Sequence, residues 1–388
     1  MGDPRWVLAV DHGTSTTAGA TADVDPADSW TRVSTVRVDG EVALPSVVLS
    51  RDDGTVLAGR PALDAAHAQP QAAVLRGRSY LAAATGGPDD PLLATWPRPT
   101  TAVNVATALV ARVLQTEAGR RGTAPAVLTL LHPASWTDPA TGPAALRAAG
   151  RSALGAVAGG GEVDLALLAA PEAAAIRLGG SGPVVVVDLG GGGTEVALVD
   201  REAADPVTTV ATLREGVPAR MLEVGAEALD DALAQLVLDR APTALAERIR
   251  FSSDVEAHRA WFWLRRGVHD AKARLGSEGA VDVGVPVLPP EHPAPGVVRL
   301  THADLGPLFA PALEQVGSAV VEVLDTADAG RPPLLVRGGV AALPGVRDWL
   351  AARTGCVLAA ADDPAAAAPT GQVCGAAAWA AARAGLGR

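Results

Sequence analysis

One pattern occurs twice in this chain and limits what it can fold into. A short apolar run ends in an aspartate and a glycine-bearing turn, and a second strand-like run follows at once. The first copy is residues 7–10, then Asp11-His12-Gly13-Thr14-Ser15-Thr16, then 17–23. The second is 184–187, then Asp188-Leu189-Gly190-Gly191-Gly192-Gly193-Thr194-Glu195, with the strand-like stretch 195–200. Brief continuous apolar runs read as strands buried on both faces, because a half-exposed strand would alternate. Aspartate falls at the same register in both copies. Two copies of one supersecondary unit in the two halves of a chain point to a duplicated architecture.

The rest of the chain supplies the elements such an architecture needs. Residues 31–60 alternate as strands do, with turns at Asp39-Gly40 and Asp53-Gly54. An amphipathic helix is expected over 102–118, strands over 126–131 and 164–169, and a helix over 171–178 with Pro171 at an allowed early position. Residues 223–275 read as mostly helical. Strands at 281–287 and 297–300 flank the proline-rich loop 289–295. A helix near 303–325, a strand at 334–336, a helix near 344–353, an Ala/Pro loop at 359–370 and a small-residue helix at 372–384 follow.

Composition narrows the function classes. A chain of 388 residues, 48% of them apolar, has material for more than one core. The net charge of −11 is diffuse and argues against a nucleic-acid partner, which needs a basic footprint. No run of about 18 apolar residues is present, so no membrane span is expected. The apolar stretch 6–10 is stopped by Asp11, too early for a signal peptide. Cys356 and Cys374 lack a CxxC spacing and read as small buried thiols of a cytoplasmic protein. Trp261-Phe262-Trp263 reads as packing inside the smaller part of the second half.

The two turns carry the chemistry. Gly13, Thr14 and Ser15 in the first, and Gly190, Gly191, Gly192, Gly193 and Thr194 in the second, offer backbone amides and hydroxyls. Glycine lets the backbone approach phosphate oxygens closely, and amide dipoles favour the anion. Two such loops facing each other would clamp a phosphate chain. Asp11 and Asp188 would hold a magnesium ion through its waters. A strand ending in Gly338-Gly339-Val340 can let a flat adenosine lie against the backbone. GxxxxGK[ST], GxGxxG and HExxH are all missing from the sequence, and His12 reads as a turn residue rather than a catalyst.

Taken in order, these segments resemble the ATPase domain of the DnaK-type (heat shock protein 70) chaperones over nearly the whole chain. Val10-Asp11-His12-Gly13-Thr14-Ser15 matches the family's first phosphate motif and 188–195 its second. Leu128-Thr129-Leu130-Leu131-His132-Pro133-Ala134 resembles the strand before the first connecting segment, with Pro133 at a proline implicated in interlobe signalling. Pro171-Glu172-Ala173-Ala174-Ala175, Val224-Gly225-Ala226-Glu227-Ala228-Leu229-Asp230, Ala271-Lys272-Ala273-Arg274-Leu275 and Leu300-Thr301-His302-Ala303-Asp304-Leu305 resemble later landmarks, and 338–344 the adenosine motif.

The resemblance implies an α/β actin-like ATPase fold: two lobes of duplicated ribonuclease-H-like mixed sheets with helices, and a nucleotide cleft between them. Lobe I is expected over 1–180, its core in 1–36 and 103–180 and its small subdomain in 37–102. Lobe II is expected over 181–388, its core in 181–222 and 301–388 and its small subdomain in 223–300. ATP or ADP with Mg2+ is the implied cofactor. Asp11, Asp188 and Glu195 take the catalytic places, and Glu227, Lys272, Gly338, Gly339 and Val340 the nucleoside side.

Departures from the family bear on hydrolysis more than on binding. Gly193 stands where the family usually has Thr, and Glu195 where it usually has Asp. Leu63 falls where the catalytic lysine is expected, with Arg60 nearby. Ala170 sits where the connecting helix begins with glutamate. Ala342 and Ala273 replace arginines at the base. The expectation is therefore a nucleotide-dependent switch with slow or absent hydrolysis and a protein partner of unknown identity. A sugar-type kinase and an actin-like filament or scaffold protein are the alternatives. After Arg388 neither a leucine-rich linker nor a peptide-binding β-domain follows, so an isolated ATPase core or a fragment is expected.

Overall fold

The computed structural model describes all residues except 1–4, 25–31, 88, 95–98, 158–161, 204–208, 253, 287, 289–295, 360–369 and 387–388. The chain is α/β, with mixed sheets. Strand β1 (Arg5–His12) turns directly into β2 (Thr16–Val24), which pairs with β3 (Val33–Thr35) at one end and β4 (Ala43–Pro45) at the other. A second small sheet of β5 (Val48–Ser50), β6 (Val56–Ala58) and β7 (Ala73–Val74) carries helix α1 (Arg60–Ala66), and helix α2 (Gly77–Leu81) follows β7. The pair β8 (Leu92–Ala94) and β9 (Thr100–Thr101) leads into α3 (Ala102–Arg121). Strand β10 (Val127–His132) then lies parallel to β1, and after α4 (Gly142–Gly155) β11 (Asp164–Ala169) lies parallel to β10. Helix α5 (Ala170–Leu178) closes this half.

The second half repeats the plan. Strand β12 (Gly182–Leu189) pairs antiparallel with β13 (Thr194–Ala203), which holds β14 (Thr209–Leu213) and the short β15 (Arg220–Leu222). Helices α6 (Ala226–Asp239), α7 (Thr243–Phe251) and α8 (Val255–Glu278) and the hairpin of β16 (Ala280–Val285) and β17 (Gly296–Thr301) follow. Helix α9 (His302–Thr326) leads to β18 (Leu334–Arg337), parallel to β12. A 3-10 turn (Val340–Ala342) and α10 (Val346–Thr354) bring Leu358 parallel to Leu334, and α11 (Gly371–Leu386) ends the described chain. The sheet orders are thus β3-β2-β1-β10-β11 and β14-β13-β12-β18, with β4 and β15 in matching places.

Why the runs at 7–10 and 184–187 do not alternate is visible in their two faces. Trp6, Leu8 and Val10 pack under α3 with Val105, Leu109 and Val113. Val7 and Ala9 face a second core that also takes Val184 and Val186. Val185 and Val187 face a third, with Leu233 and Val320. Each strand is apolar on both sides because each is covered on both sides.

The shared core explains how the halves are joined. Helix α5 follows the first sheet but packs on β12, β13 and β14, while α11 follows the second and packs on β1, β2 and β10. The two helices touch at small residues: a Cβ on Gly375 would lie 1.9 Å from the Ala173 carbonyl oxygen. The alanine content therefore has a structural use here, close helix approach. Both cysteines are buried.

The aromatic triplet departs from its expected place inside the second half. Trp261 does pack there. Phe262, however, packs against the cluster of Val47, Leu49 and Leu63 in the first half, and the Trp263 ring lies 4.0 Å from that of His67. Consecutive helix residues point about 100° apart, so three aromatics in a row cannot share one core. Among the described residues no helix is long and apolar enough to cross a membrane.

Candidate functional site

The two turns have the same geometry. In β1–β2 the register pairs Asp11 with Ala18 and His12 with Thr17; in β12–β13 it pairs Asp188 with Glu195 and Leu189 with Thr194. Gly13 N–H donates to the Thr16 carbonyl at 2.9 Å, and Gly190 N–H to the Gly193 carbonyl at 3.0 Å. A Cβ on Gly13 would stand 2.5 Å from that carbonyl oxygen, so the turn admits only glycine there.

The turns also face each other. A Cβ on Gly191 would lie 2.0 Å from Ser15 Oγ, and one on Gly192 2.7 Å from Thr14 Oγ1. The second turn is anchored from behind by the start of α6: Ala226 N–H donates to Gly190 O at 2.9 Å and Glu227 N–H to Gly191 O at 3.0 Å. Thr194 Oγ1 donates to Val224 O at 2.6 Å. Gly193 has a local cause, since a Cβ there would meet the Leu222 carbonyl oxygen at 2.6 Å. Gly338, at φ 92°, closes on the same strand end, its would-be Cβ 2.3 Å from Leu189 O and 2.9 Å from Asp188 Oδ1.

Charged groups collect around this junction. Asp11 is buried; Arg78 Nη1 stands 3.3 Å from its Oδ1, and Gln372 Nε2 donates to its Oδ2. The Arg78 guanidinium also lies 5.9 Å from the centre of the Trp136 ring. Asp188 Oδ2 is 3.5 Å from Nε of the buried Arg337. Glu195 is buried and accepts from the Ser135 N–H at 2.9 Å. Burial, with the Asp188 carboxylate adding to it, pushes Glu195 up to about 7, against the pull of the Ser135 amide and Arg78. A carboxylate poised near neutrality can accept a proton from water.

His12 lies below the first turn. Its Nδ1 is 3.1 Å from Thr17 Oγ1, which is 2.9 Å from Ser46 Oγ, and Ser46 Oγ donates to Gly13 O at 2.8 Å. Burial, helped by the Arg78 charge, holds it down at about 3. His12 is thus a neutral prop of the turn.

Ser15 Oγ donates to Glu227 Oε1 at 3.0 Å, and Glu227 also pairs with Arg76. Arg76 reaches Asp231 at 3.0 Å. Lys272 is buried, 2.6 Å from Asp230 Oδ1, and donates to Ala226 O at 3.1 Å. Asp11, Gly13, Thr14, Ser15, Asp188, Gly190, Gly191, Gly192, Gly193, Thr194, Glu195, Glu227 and Gly338 therefore gather at one junction. Lys272 stands just behind α6 and Gly339 is exposed beside Gly338, but Val340, expected on the nucleoside side, is buried in the apolar core with Val336 and Val346.

Leu63 is 4% exposed and packs in an apolar cluster on α1. The cation beside Asp11 is Arg78, which the sequence pattern did not single out, nor did it Gln372 and Ser135. Two signals were present: Arg76-Gly77-Arg78 puts two guanidinium groups around one glycine, and Gln372 is the lone uncharged polar side chain in a helix of small and apolar residues. Among the described residues no three His, Cys, Asp or Glu side chains are grouped to bind a metal directly. Asp11 is engaged by Arg78 and Gln372 and Asp188 by Arg337, so a cation held by these two carboxylates would meet them through its own waters. No protein-family model matches the chain, and no curated protein matches it.

Proposed function

We propose that the chain is an actin-like-fold ATPase, similar to the ATPase domains of DnaK-type chaperones, that binds a magnesium nucleoside triphosphate between the turns 11–16 and 188–194. The observation that carries this reading is the pair of turns closed by the same hydrogen bond and opposed so tightly that side chains at 191 and 192 would collide with Ser15 and Thr14. The turns touch, so a polyanion must part them to enter, and bare glycine amides on one side and hydroxyls on the other are the donors that would meet it.

Residue roles follow from position. The Thr14 hydroxyl and the 191–193 amides bind phosphate oxygens, and the Ser15 hydroxyl joins them once it turns from Glu227. Arg78 neutralises the terminal phosphate, and Trp136 limits where its guanidinium can go. Glu195, held by the Ser135 amide, orients and deprotonates the attacking water. Asp11 and Asp188 would hold the metal ion through water, and that ion would supply further charge neutralisation. Turnover is slow because Arg78 is committed to Asp11 and must change partner before it can serve the phosphate. Coupling between the halves runs through Ser15, Glu227 and Arg76, so occupancy of the junction is read as a change in how the halves meet.

Titration calorimetry with magnesium ATP tests the reading. Wild type is expected to bind, and Asp188→Ala to bind at least about tenfold more weakly. Equal affinity in the variant, or no binding by wild type, overturns it.

A further inference from the structure

The phosphate end of the junction is rich in donors, and the end where a nucleoside would lie is not. Gly338 abuts Leu189 O, so on the nucleotide-binding reading above a nucleotide with its phosphates on the second turn has 339–344 and the facing stretch of α8 beside its nucleoside. The 338–344 segment carries no polar side chain, and since Val340 and Ala341 are buried, only Gly339, Ala342, Leu343 and Pro344 are left to face a base. Helix α8 meets the segment at Gly276, whose would-be Cβ is 3.6 Å from Pro344 Cδ.

Along that stretch of α8 the polar side chains are already engaged. Lys272 is buried against Asp230 and the Ala226 carbonyl. Arg274 makes two bonds of 2.7 Å to Glu278. Ser277 Oγ donates to Arg274 O at 3.1 Å. Ala273 and Gly276 have nothing to offer a base edge beyond contact.

We infer that this site takes nucleoside triphosphates as a class and does not select the base. The inference rests on the nucleotide-binding reading above and specifies its substrate. Selection among bases comes from hydrogen bonds that a wrong base leaves unmade, worth orders of magnitude; apolar contact alone discriminates weakly. Here affinity is concentrated on the phosphates and the base receives only contact.

Calorimetry of the full chain with the magnesium complexes of ATP, GTP and CTP measures this. The three dissociation constants are expected to agree within about fivefold, the range apolar contact allows. Ala342→Arg, which adds a planar cation able to stack on a base, is expected to tighten ATP and GTP more than CTP. ATP preferred by more than about fiftyfold over both GTP and CTP overturns the inference and leaves nucleotide binding standing. Failure of all three to bind overturns both. Arg347, three residues beyond Pro344, is the first arginine after the segment; Arg347→Ala is expected to leave the ATP:GTP ratio unchanged. A ratio that moves more than about tenfold would show that Arg347 reads the base and would overturn the inference as well.

Discussion

Aligned by register, the two turns run Asp11-His12-Gly13-Thr14-Ser15-Thr16-Thr17-Ala18 and Asp188-Leu189-Gly190-Gly191-Gly192-Gly193-Thr194-Glu195. They share the aspartate, the closing glycine and the threonine before the last position. Hydroxyls on the first copy are replaced by glycines on the second, and Ala18 is replaced by Glu195. The difference has a steric origin, because at this separation only one of two facing turns can carry side chains. Once one copy is stripped to backbone, the other supplies the hydroxyl donors, and the spare carboxylate appears on the stripped side.

The largest effect is expected where the copies differ in charge. Glu195→Gln keeps the shape and the Ser135 contact but removes the base, and should lower single-turnover hydrolysis by about 10²–10⁴-fold, with nucleotide affinity little changed. In wild type the carboxylate is raised to about 7, so its basic form grows as pH rises through that value, and hydrolysis should rise with it. A flat profile between pH 5.5 and 8.5, or a Glu195→Gln rate equal to wild type, would break the assignment of chemistry to the second turn.

His12 against Leu189 gives the next largest difference, and it concerns stability. The folded protein keeps His12 neutral down to about 3, whereas the unfolded chain takes up a proton near the ordinary histidine value of 6.5. The unfolded state therefore binds more protons between those values, and the fold loses stability as pH falls through that window. By pH 4.5 the loss amounts to about 2–3 kcal/mol. His12→Leu, which makes the first turn like the second at this position, should remove that part of the acid sensitivity. Urea melts of both proteins at pH 7 and 4.5 measure it; equal losses in the two would mean that His12 titrates freely.

Much of this fold was legible because its strongest signals are local. Continuous apolar runs gave both central strands, and residues 102–118, 164–169 and 303–325 lie inside or match the observed elements α3, β11 and α9. Pro307 and Pro311 did not break α9, whose capping box at Thr301 and Asp304 and apolar face hold it. The turn residues were legible for the same reason, since glycine requirements are written in adjacent positions. Arg78, Gln372 and Ser135 were not, because each reaches the junction from a segment remote in sequence. Placing Leu63 where the family has its catalytic lysine relied on counting along a resemblance, and Leu63 lies on the apolar side of α1. The proline-rich loop 289–295 and most of 359–370 lie outside the described residues.

The smallest expected effect tests whether the hydroxyl side of the comparison ties the halves together even without a ligand. Ser15 Oγ donates to Glu227 Oε1 at 3.0 Å, from the first turn to the start of α6 behind the second. Ser15→Ala removes that bond without stranding Glu227, which keeps Arg76 and lies 4.0 Å from Arg265. With the acceptor still paired, the loss should be near the usual net worth of one hydrogen bond, about 0.5–1.5 kcal/mol. Gly192→Ser is the reciprocal change. It places a side chain on the stripped turn 2.7 Å from Thr14 Oγ1 and should cost more, because the facing loops must separate to admit it. Chemical denaturation of the two variants without nucleotide ranks them. If Gly192→Ser proves the milder change, the turns are not in contact in solution and their division into a hydroxyl side and a backbone side is wrong.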